Sequence, residues 1–348
     1  MHSFSSGLID RQPLSQGLLQ TIRQLGEYKG RQQLYTEQSP QVLKALQHAA
    51  QIESTESSNR IEGVTAPHDR IADIVARKSK PRNRPEQEIA GYRDVLQDIH
   101  VKAPKIPFTT ALVLQMHENL YHFSTGRGGE WKPVDNEITE LLPDGSRRLR
   151  FKPLPALDTP PAMEALHTRF LHARAAGVIE PLLLIPAYIL DFLCIHPFLD
   201  GNGRTARLLT LLLLYQAGYE VGRFISLEQM VERTRHSYYD SLLASSQGWH
   251  QGRHNLVPWW EYFLGVMMLG CYRDFEKRVG AITVRHGAKR EMIIDTVRRL
   301  PTEFRVGDIK RACPGISQPT INRTLAQMRR DRQIRCLSSG RDAVWAKV

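Results

Sequence analysis

The thirteen residues 195–207 constrain the fold of this chain more than any other segment. They read Ile-His-Pro-Phe-Leu-Asp-Gly-Asn-Gly-Arg-Thr-Ala-Arg, and a largely apolar run without Gly or Pro continues to Tyr215. Gly201 and Gly203 give the backbone conformations that residues with a side chain rarely adopt. The uninterrupted run after them predicts a helix that begins near Asn202. The segment therefore predicts a sharp loop that leads directly into a helix.

The residue types at this loop are those that bind a polyphosphate. Free N–H groups at a helix N-terminus face outward and attract anions. Arg204 and Arg207 lie three positions apart on one helix face, and each can bind phosphate oxygens through two N–H groups. Asp200 is placed to hold a divalent cation such as Mg2+. His196 can accept a proton near neutral pH. Together these residues predict a reactive phosphate site.

The same segment resembles the signature of Fic-domain proteins, HxFx[D/E]GNGRxxR. Every specified position is present, in the order His196-x-Phe198-x-Asp200-Gly201-Asn202-Gly203-Arg204-x-x-Arg207. The resemblance extends more loosely over about residues 55–265. Most members of that family are AMP transferases, which move AMP from ATP to a hydroxyl group of a protein.

The resemblance implies a role for each residue of the loop. His196 would be the catalytic base, and Asp200 would hold Mg2+ across the α and β phosphates of ATP. The phosphates would lie over the turn from Gly201 to Arg204. Asn202 would then contact the α-phosphate, and Arg204 and Arg207 would contact the β and γ phosphates. Phe198 is expected to be a core residue that holds the loop in place.

A dinucleotide-binding fold is the alternative that the glycines raise. Gly201-x-Gly203-x-x-Ala206 fits the loose fingerprint of that fold. The fingerprint requires a short strand immediately before it, but the apolar run 182–195 is too long for a typical strand. No alternation of strands and helices surrounds it either. We therefore expect a helix over 182–195 that carries His196 at its end.

A second pattern lies earlier in the chain, at the predicted end of a helix. Ser58-x-x-x-Glu62-Gly63 resembles the inhibitory motif of the Fic family, [S/T]xxxE[G/N]. The resemblance implies that Glu62 pairs with Arg207 and occupies the place of the γ-phosphate. The alternative interpretation is that Glu62 is an ordinary exposed acid at a helix end.

Residues 132–152 interrupt the helical pattern. Ile138 and Phe151 flank the turn cluster 143–146, which predicts a hairpin of two short strands. An open strand edge can pair with another chain. The hairpin resembles the flap that holds the target protein in the Fic family, although the family usually has Arg where Lys132 stands. A hairpin closed on itself is the alternative.

Tyr239 belongs to a pair of tyrosines that continues the family pattern beyond the loop. The resemblance implies that one tyrosine of the pair lies on the adenine side of the nucleotide. An aromatic face suits base stacking. Tyrosines at helical spacing are equally typical of a core, so both interpretations stay open.

The C-terminal residues carry most of the net positive charge. The whole chain has a net charge of +11, and residues 289–348 contain 14 Lys and Arg against 6 Asp and Glu. The pattern predicts three helices and a β wing, which together make a winged helix. Its third helix would carry Thr320, Asn322 and Arg323 outward, as DNA recognition requires. Winged helices also dock proteins, so a DNA partner and a protein partner both stay open.

These observations predict a mostly α protein with a Fic-type helical core, a small β-hairpin flap and a C-terminal winged-helix domain. We expect an N-terminal helical segment with the inhibitory motif over 1–85, a catalytic core over 86–280 and the winged helix over 286–348. No apolar span of about 20 residues is present, so no membrane partner is expected. The four cysteines form no CxxC pair, which favours free thiols and a cytoplasmic location.

The expected function is protein adenylyltransfer: AMP moves from ATP to a Ser, Thr or Tyr hydroxyl of a target protein, and of the chain itself, under inhibition by Glu62. Two alternatives remain. One is a phosphotransferase, although that branch of the family departs from the signature at Gly203 and Arg204, which are intact here. The other is a DNA-binding regulator in which the Fic core only senses a nucleotide. The sequence leaves a homodimer open as well.

Overall fold

The computed structural model describes the chain except for residues 1, 6, 39, 125, 127, 142–144, 285–287, 314–315 and 339–342. The chain divides into two compact units. The first contains residues 1–30 and 46–273, and the second contains residues 31–45 and 274–348. The N-terminal helical segment predicted over 1–85 contains residues of both units.

The first unit is built mainly from helices. Its described helices are α1 Gln16–Gln38, α2 Pro40–Ile61, α3 His68–Val75, α4 Arg84–Lys102, α5 Thr110–Leu120, α6 Thr159–Ala176, α7 Pro181–Ile195, α8 Asn202–Gln216, α9 Leu227–Arg233, α10 Arg235–Ser246, α11 Val257–Trp260 and α12 Leu269–Val284. Three of them, α1, α2 and α12, also have residues in the second unit. A π-helical segment, Glu261–Met268, joins α11 to α12.

Helices α7 and α8 form the centre of this unit. Nearly every residue of both helices is buried, which agrees with their apolar sequences and with a position inside a helical core. Pro181 stands in the first turn of α7, where a missing N–H group costs nothing. Phe198, in the loop between the helices, is fully buried. The predicted helix–loop–helix around the signature is confirmed.

The backbones of helices α4 and α5 lie directly against each other at one point. Asn83 and Thr109 cap their N-termini by accepting hydrogen bonds from Glu86 N (3.0 Å) and Leu112 N (3.1 Å). Gly91 lies where α4 crosses the end of α5: a Cβ at this position would be 2.1 Å from the carbonyl oxygen of Leu120. Only glycine permits this contact.

The predicted hairpin is present as β1, Ile138–Leu141, and β2, Arg147–Phe151. The strands are antiparallel, with Thr139 opposite Leu149 and an irregularity next to Ile138. Residues 143 and 144 of the predicted turn lie outside the described residues. Val134 lies ahead of the strands and is exposed.

The second unit contains three further helices and a three-stranded antiparallel sheet in the order β3–β5–β4. Its elements are α13 Ala288–Arg299, β3 Glu303–Arg305, α14 Val306–Ala312, α15 Gln318–Arg330, β4 Ile334–Cys336 and β5 Val344–Lys347. Ile293, Ile309 and Leu325 are among the buried residues of its core. The predicted helices and wing strands are present, whereas β3 was not predicted. Residues 339–342 of the predicted wing lie outside the described residues.

Two other expectations concern the whole chain. Among the described residues, no helix is long and apolar enough to cross a membrane. The four cysteines are free thiols, and Cys194, Cys271 and Cys313 are buried.

Candidate active site

His196 ends helix α7 in the left-handed conformation, with φ 51° and ψ 62°. Its backbone N–H still donates to Phe192 O at 2.9 Å, so the turn stays attached to the helix. Its Nδ1 lies 3.2 Å from Leu193 O. A carbonyl oxygen can only accept, so Nδ1 carries the hydrogen and Nε2 keeps its lone pair. The imidazole therefore presents a basic nitrogen.

The surroundings keep that imidazole neutral. The pKa of His196 is lowered to about 4, mainly by burial and to a smaller extent by the positive charge of Lys132. A hydrogen bond with Leu193 O and the carboxylates of Glu62 and Asp200 act in the opposite direction. At neutral pH the side chain is a free base, which is the form that accepts a proton.

Asn202 closes the loop between the two helices. Its Oδ1 accepts from Phe198 N at 2.9 Å, and its Nδ2 donates to Phe198 O at 2.7 Å. Gly201, the N-cap of α8, has φ +78°, and a Cβ there would lie 3.0 Å from the hydroxyl of Tyr121. The side chain of Asn202 thus binds the loop itself, and this differs from the phosphate contact expected from the resemblance.

Asp200 presents an exposed carboxylate at the start of this turn. Its side chain is 64% exposed, and its Oδ1 accepts from Gly201 N at 2.6 Å. Within the described residues, no group of three or more His, Cys, Asp or Glu side chains could hold a metal ion. One carboxylate that shares a cation with ligand phosphates is the arrangement typical of Mg2+. The donor set fits Mg2+ that arrives with a polyphosphate.

Arg207 is bound to the end of helix α2. Its Nε donates to Ser58 Oγ at 2.8 Å, and its Nη2 donates to Ser58 O at 2.9 Å and to Glu62 Oε1 at 2.8 Å. The Arg207 side chain is 7% exposed and that of Glu62 is 29% exposed. The pairing implied by the resemblance is therefore present, while the inhibitory role of Glu62 stays a prediction.

Glu62 also covers the N-terminus of helix α8. A Cβ built on Gly203 would lie 2.2 Å from Glu62 Oε1 and 3.1 Å from Arg207 Nη1. The glycine therefore lets a carboxylate approach the first turn of the helix, where N–H groups attract negative charge. The position that suits a phosphate holds the carboxylate of Glu62.

Arg204 is placed differently from Arg207. It is 1% exposed, and its Nη1 donates to Glu88 Oε2 at 2.7 Å. Its Nη2 donates to the hydroxyl of Tyr121 at 2.9 Å and lies 3.7 Å from Asp200 Oδ2. In this arrangement the guanidinium fixes the loop from inside, and the phosphate contact expected for Arg204 would require it to leave Glu88.

A cleft of ≈ 700 Å³ brings five of the predicted residues together. Its lining includes Glu62, His196, Gly203, Arg207 and Tyr239, together with residues of the hairpin and of α10. The ring of Tyr239 lies between two guanidinium groups, with Arg150 and Arg235 each 5.6 Å from its centroid. This cleft is large enough for a nucleotide.

Three residues that brace the loop were not predicted: Glu88, His117 and Tyr121. His117 Nε2 lies 3.0 Å from Asp200 O, and its ring stacks on Phe198 with centroids 3.6 Å apart. All three lie on α4, on α5 or directly after α5, far from the signature in sequence. No local spacing connects them to the loop.

Comparison with known sequences agrees with this geometry. Residues 107–214 match the Fic/DOC family. A protein of Culex quinquefasciatus named protein adenylyltransferase Fic is 29% identical over 140 residues, which cover 39% of this chain and 24% of that protein. The chain thus spans about a quarter of the length of the curated relatives it matches.

Solved structures are similar as well. A Fic family protein from Desulfovibrio desulfuricans has a TM-score of 0.60 at 19% identity, over 97% of both chains. A Fic domain containing signaling protein from Bacteroides thetaiotaomicron has a TM-score of 0.61 at 20% identity, over 75% of this chain and 98% of that one. These similarities establish the fold. The signature loop, the helices around it and the sequence match agree: residues 107–214 of this chain are similar to the Fic/DOC family.

Proposed function

We propose that this protein transfers AMP from ATP to the hydroxyl group of a Ser, Thr or Tyr side chain. The observation that carries the proposal is the free Nε2 of His196, which lines the same cleft as Gly203 and Arg207. A base beside a helix N-terminus suits attack by a hydroxyl on a bound phosphate. The similarity to proteins named protein adenylyltransferase Fic supports this activity.

The proposed reaction is a single displacement at the α-phosphorus. The target hydroxyl oxygen forms a bond to the α-phosphorus, while the bond from that phosphorus to the bridging oxygen of pyrophosphate breaks. The hydroxyl proton passes to His196 Nε2, and pyrophosphate leaves. Nδ1–H remains on Leu193 O, which keeps the ring oriented as it becomes positively charged.

The remaining loop residues hold the phosphates or the loop. Asp200 would hold Mg2+, which neutralises charge on the phosphates. The N–H groups at the start of α8 and the guanidinium of Arg207 bind the phosphate chain. In this proposal Asn202 and Arg204 act mainly by holding the loop, because both are at most 2% exposed.

Glu62 would inhibit this reaction in two ways. It occupies Arg207 through an ion pair of 2.8 Å, and it lies above Gly203 where a phosphate would approach. ATP that enters beside Glu62 would have its α-phosphorus away from the attacking hydroxyl. We infer that the state described here is the inhibited one.

The hairpin supports a target protein as the second substrate. Strand β1 lines the cleft beside His196, and Leu149 of β2 is 51% exposed. A segment of the target could add to the hairpin as a further strand. A cytoplasmic location is part of this proposal, because the four cysteines are free.

One labelling experiment tests the reaction class. The Glu62→Gly variant is incubated with ATP labelled at the α or at the γ position, and the intact protein mass is measured afterwards. AMP transfer places only the α label on protein, whereas phosphate transfer places only the γ label. His196→Ala in the same background serves as the inactive control, and absence of both labels with every target tested would refute the proposal.

A second candidate function is DNA binding by the second unit. The outer face of α15 exposes Asn322, Arg323, Arg329 and Arg330, while its inner face packs in the core. An exposed basic helix of this kind fits the major groove. This function is compatible with AMP transfer, and a protein partner for the same face is the alternative outcome.

A further inference from the structure

The backbone of the catalytic loop is held by two residues from the segment ahead of the hairpin, Lys132 and Asn136. Four consecutive carbonyl oxygens, those of residues 195–198, each accept a hydrogen bond from one of them. Lys132 Nζ binds Ile195 O at 3.0 Å, Asn136 Nδ2 binds His196 O at 3.3 Å, Lys132 N binds Pro197 O at 2.8 Å, and Asn136 Nδ2 binds Phe198 O at 2.9 Å.

The two residues also bind each other. Lys132 Nζ donates to Asn136 Oδ1 at 2.9 Å, which fixes the orientation of the amide. The amide must present its Nδ2 to the loop, because its Oδ1 accepts from the ammonium. Lys132 and Asn136 therefore form one unit, which we call the loop clasp.

His196 requires such support because of its backbone conformation. It is one of the few described residues other than glycine with positive φ. The left-handed region costs a residue with a side chain about 1 kcal/mol or more, and it persists only where the surroundings impose it. The clasp binds the carbonyl oxygens immediately before, at and after His196, so it restricts the peptide planes that set the direction of the imidazole.

Lys132 is an unusual residue for a purely structural role. It is 3% exposed, and burial lowers the pKa of its ammonium group to about 8, against the opposing effect of Asp135. A buried ammonium is costly unless it is paired or hydrogen-bonded. Lys132 Nζ meets this condition by donating to Ile195 O and Asn136 Oδ1, so the burial of Lys132 depends on its contacts with the loop and with Asn136.

We propose that Lys132 and Asn136 are positioning residues for His196: both bind the loop backbone around it and fix the left-handed turn that aims its Nε2. This inference rests on the proposed function, in which Nε2 accepts the proton. Lys132 and Asn136 touch the loop backbone and not the reacting atoms.

Variants of the clasp in the Glu62→Gly background test the positioning. Lys132→Met and Asn136→Ala should each lower kcat by tenfold to about a hundredfold, the cost of a small displacement of a catalytic group, with KM for ATP changed less than threefold. Lys132→Arg keeps the charge and N–H donors and should recover most of the rate. Lys105→Met removes an exposed lysine elsewhere and is the matched control.

An NMR comparison of the His196 ring tests the positioning separately and requires no activity. Lys132→Met and Asn136→Ala should each shift the ring resonances of His196 in the Glu62→Gly background, because the carbonyl oxygens around His196 lose their hydrogen bonds. Lys105→Met should leave these resonances unchanged.

The outcomes distinguish this inference from the proposed function. If the Glu62→Gly parent transfers no AMP, the proposed function fails, and the NMR comparison still decides the positioning. If the parent is active and both clasp variants keep kcat within twofold, the positioning role is overturned. Unchanged ring resonances of His196 in both variants overturn it as well. Should Lys132→Met fail to fold, Asn136→Ala decides the positioning.

Discussion

The carboxylate of Glu62 fills the space above Gly203, so closely that a Cβ at position 203 would lie 2.2 Å from its Oε1. The same carboxylate pairs with Arg207, four positions further along helix α8. One acidic side chain thus occupies both the helix N-terminus and the guanidinium that a phosphate would need. Release of Glu62 is therefore the expected step between the inhibited and the active protein.

Replacement of Glu62 by Gly should activate AMP transfer. The change frees Arg207 and opens the space above Gly203 without touching His196 or Asp200. We expect incorporation to rise on the order of tenfold or more, because correct orientation of the phosphate accounts for much of such a rate. AMP incorporation is compared at equal ATP for wild type and variant.

Glu62→Asp is the matched control. Its shorter side chain should reach Arg207 less well and give an intermediate rate. Equal or lower incorporation by Glu62→Gly would show that Glu62 is an ordinary exposed acid.

Replacement of His196 by Ala should abolish transfer and leave ATP binding within about threefold. The change removes the one residue type of the signature that ordinarily titrates near neutral pH, but it leaves the α8 N-terminus and Arg207 intact. Calorimetry with ATP and labelled transfer, both in the Glu62→Gly background, measure the two effects. Transfer that persists undiminished would contradict the role of His196 as the base.

The pH dependence of the rate follows from the lowered pKa of His196. A histidine with its ordinary pKa of 6.5 would lose its basic form below that pH, whereas burial holds the pKa of this one at about 4. The rate should therefore stay level from pH 7 to about pH 5 and fall as the pH drops through about 4. Initial rates at saturating ATP, with circular dichroism to monitor folding, measure this limb. A limb centred near 6.5 would show that His196 is solvated in the active state.

Replacement of Asp200 by Ala should weaken the dependence on Mg2+ and lower the rate by about a hundredfold, the scale of a lost charge-stabilising contact. Asp200 is the exposed carboxylate of the loop, and its side chain also contacts Gly201 N and Arg204. Mg2+ titrations of the transfer rate compare variant and parent, with Asp200→Glu as the conservative control. Superimposed titrations would mean that the metal is held elsewhere.

Replacement of Arg323 by Ala should weaken binding of the full chain to duplex DNA at all sequences and lower the salt slope by about one. Arg323 lies on the exposed face of α15. Fluorescence anisotropy between 50 and 200 mM salt, the range over which such contacts respond strongly, measures the change. Arg298→Ala, on α13, is the control and should have a smaller effect. No binding by the parent at low salt would favour a protein partner.

The signature loop could be predicted because its determinants are local. A glycine-rich turn between two apolar runs specifies where α7 ends and where α8 begins. The residues that carry the chemistry lie close together in the sequence, between positions 196 and 207. The contact of Glu62 with Arg207 spans 145 positions. It was expected only because both motifs resemble one family, since no spacing rule connects residues so distant.

The bracing residues could not be predicted for the same physical reason. Glu88 reaches Arg204 across 116 positions, and Lys132 reaches Ile195 across 63. In the sequence, Glu88 is one of many helical acids and Lys132 one of many lysines. Their burial beside the loop depends on how α4, α5 and the hairpin pack.

Strand β3 was missed because three residues are too few to show alternation, and its partner β5 lies about forty positions later.

The contact of Gly91 with Leu120 has a consequence for the active site. Gly91 lies one turn from Glu88 on α4, and Leu120 directly precedes Tyr121, so the two partners of the Arg204 guanidinium are carried by the two backbones that meet at the glycine. Any side chain at position 91 would force those backbones apart and separate Glu88 from Tyr121. The distance between the carboxylate of Glu88 and the phenol of Tyr121 thus depends on a hydrogen atom in place of a methyl group at position 91. Substitutions at Gly91 should therefore first appear as a loosened Arg204 and a misaligned loop, while the rest of the helical core remains folded.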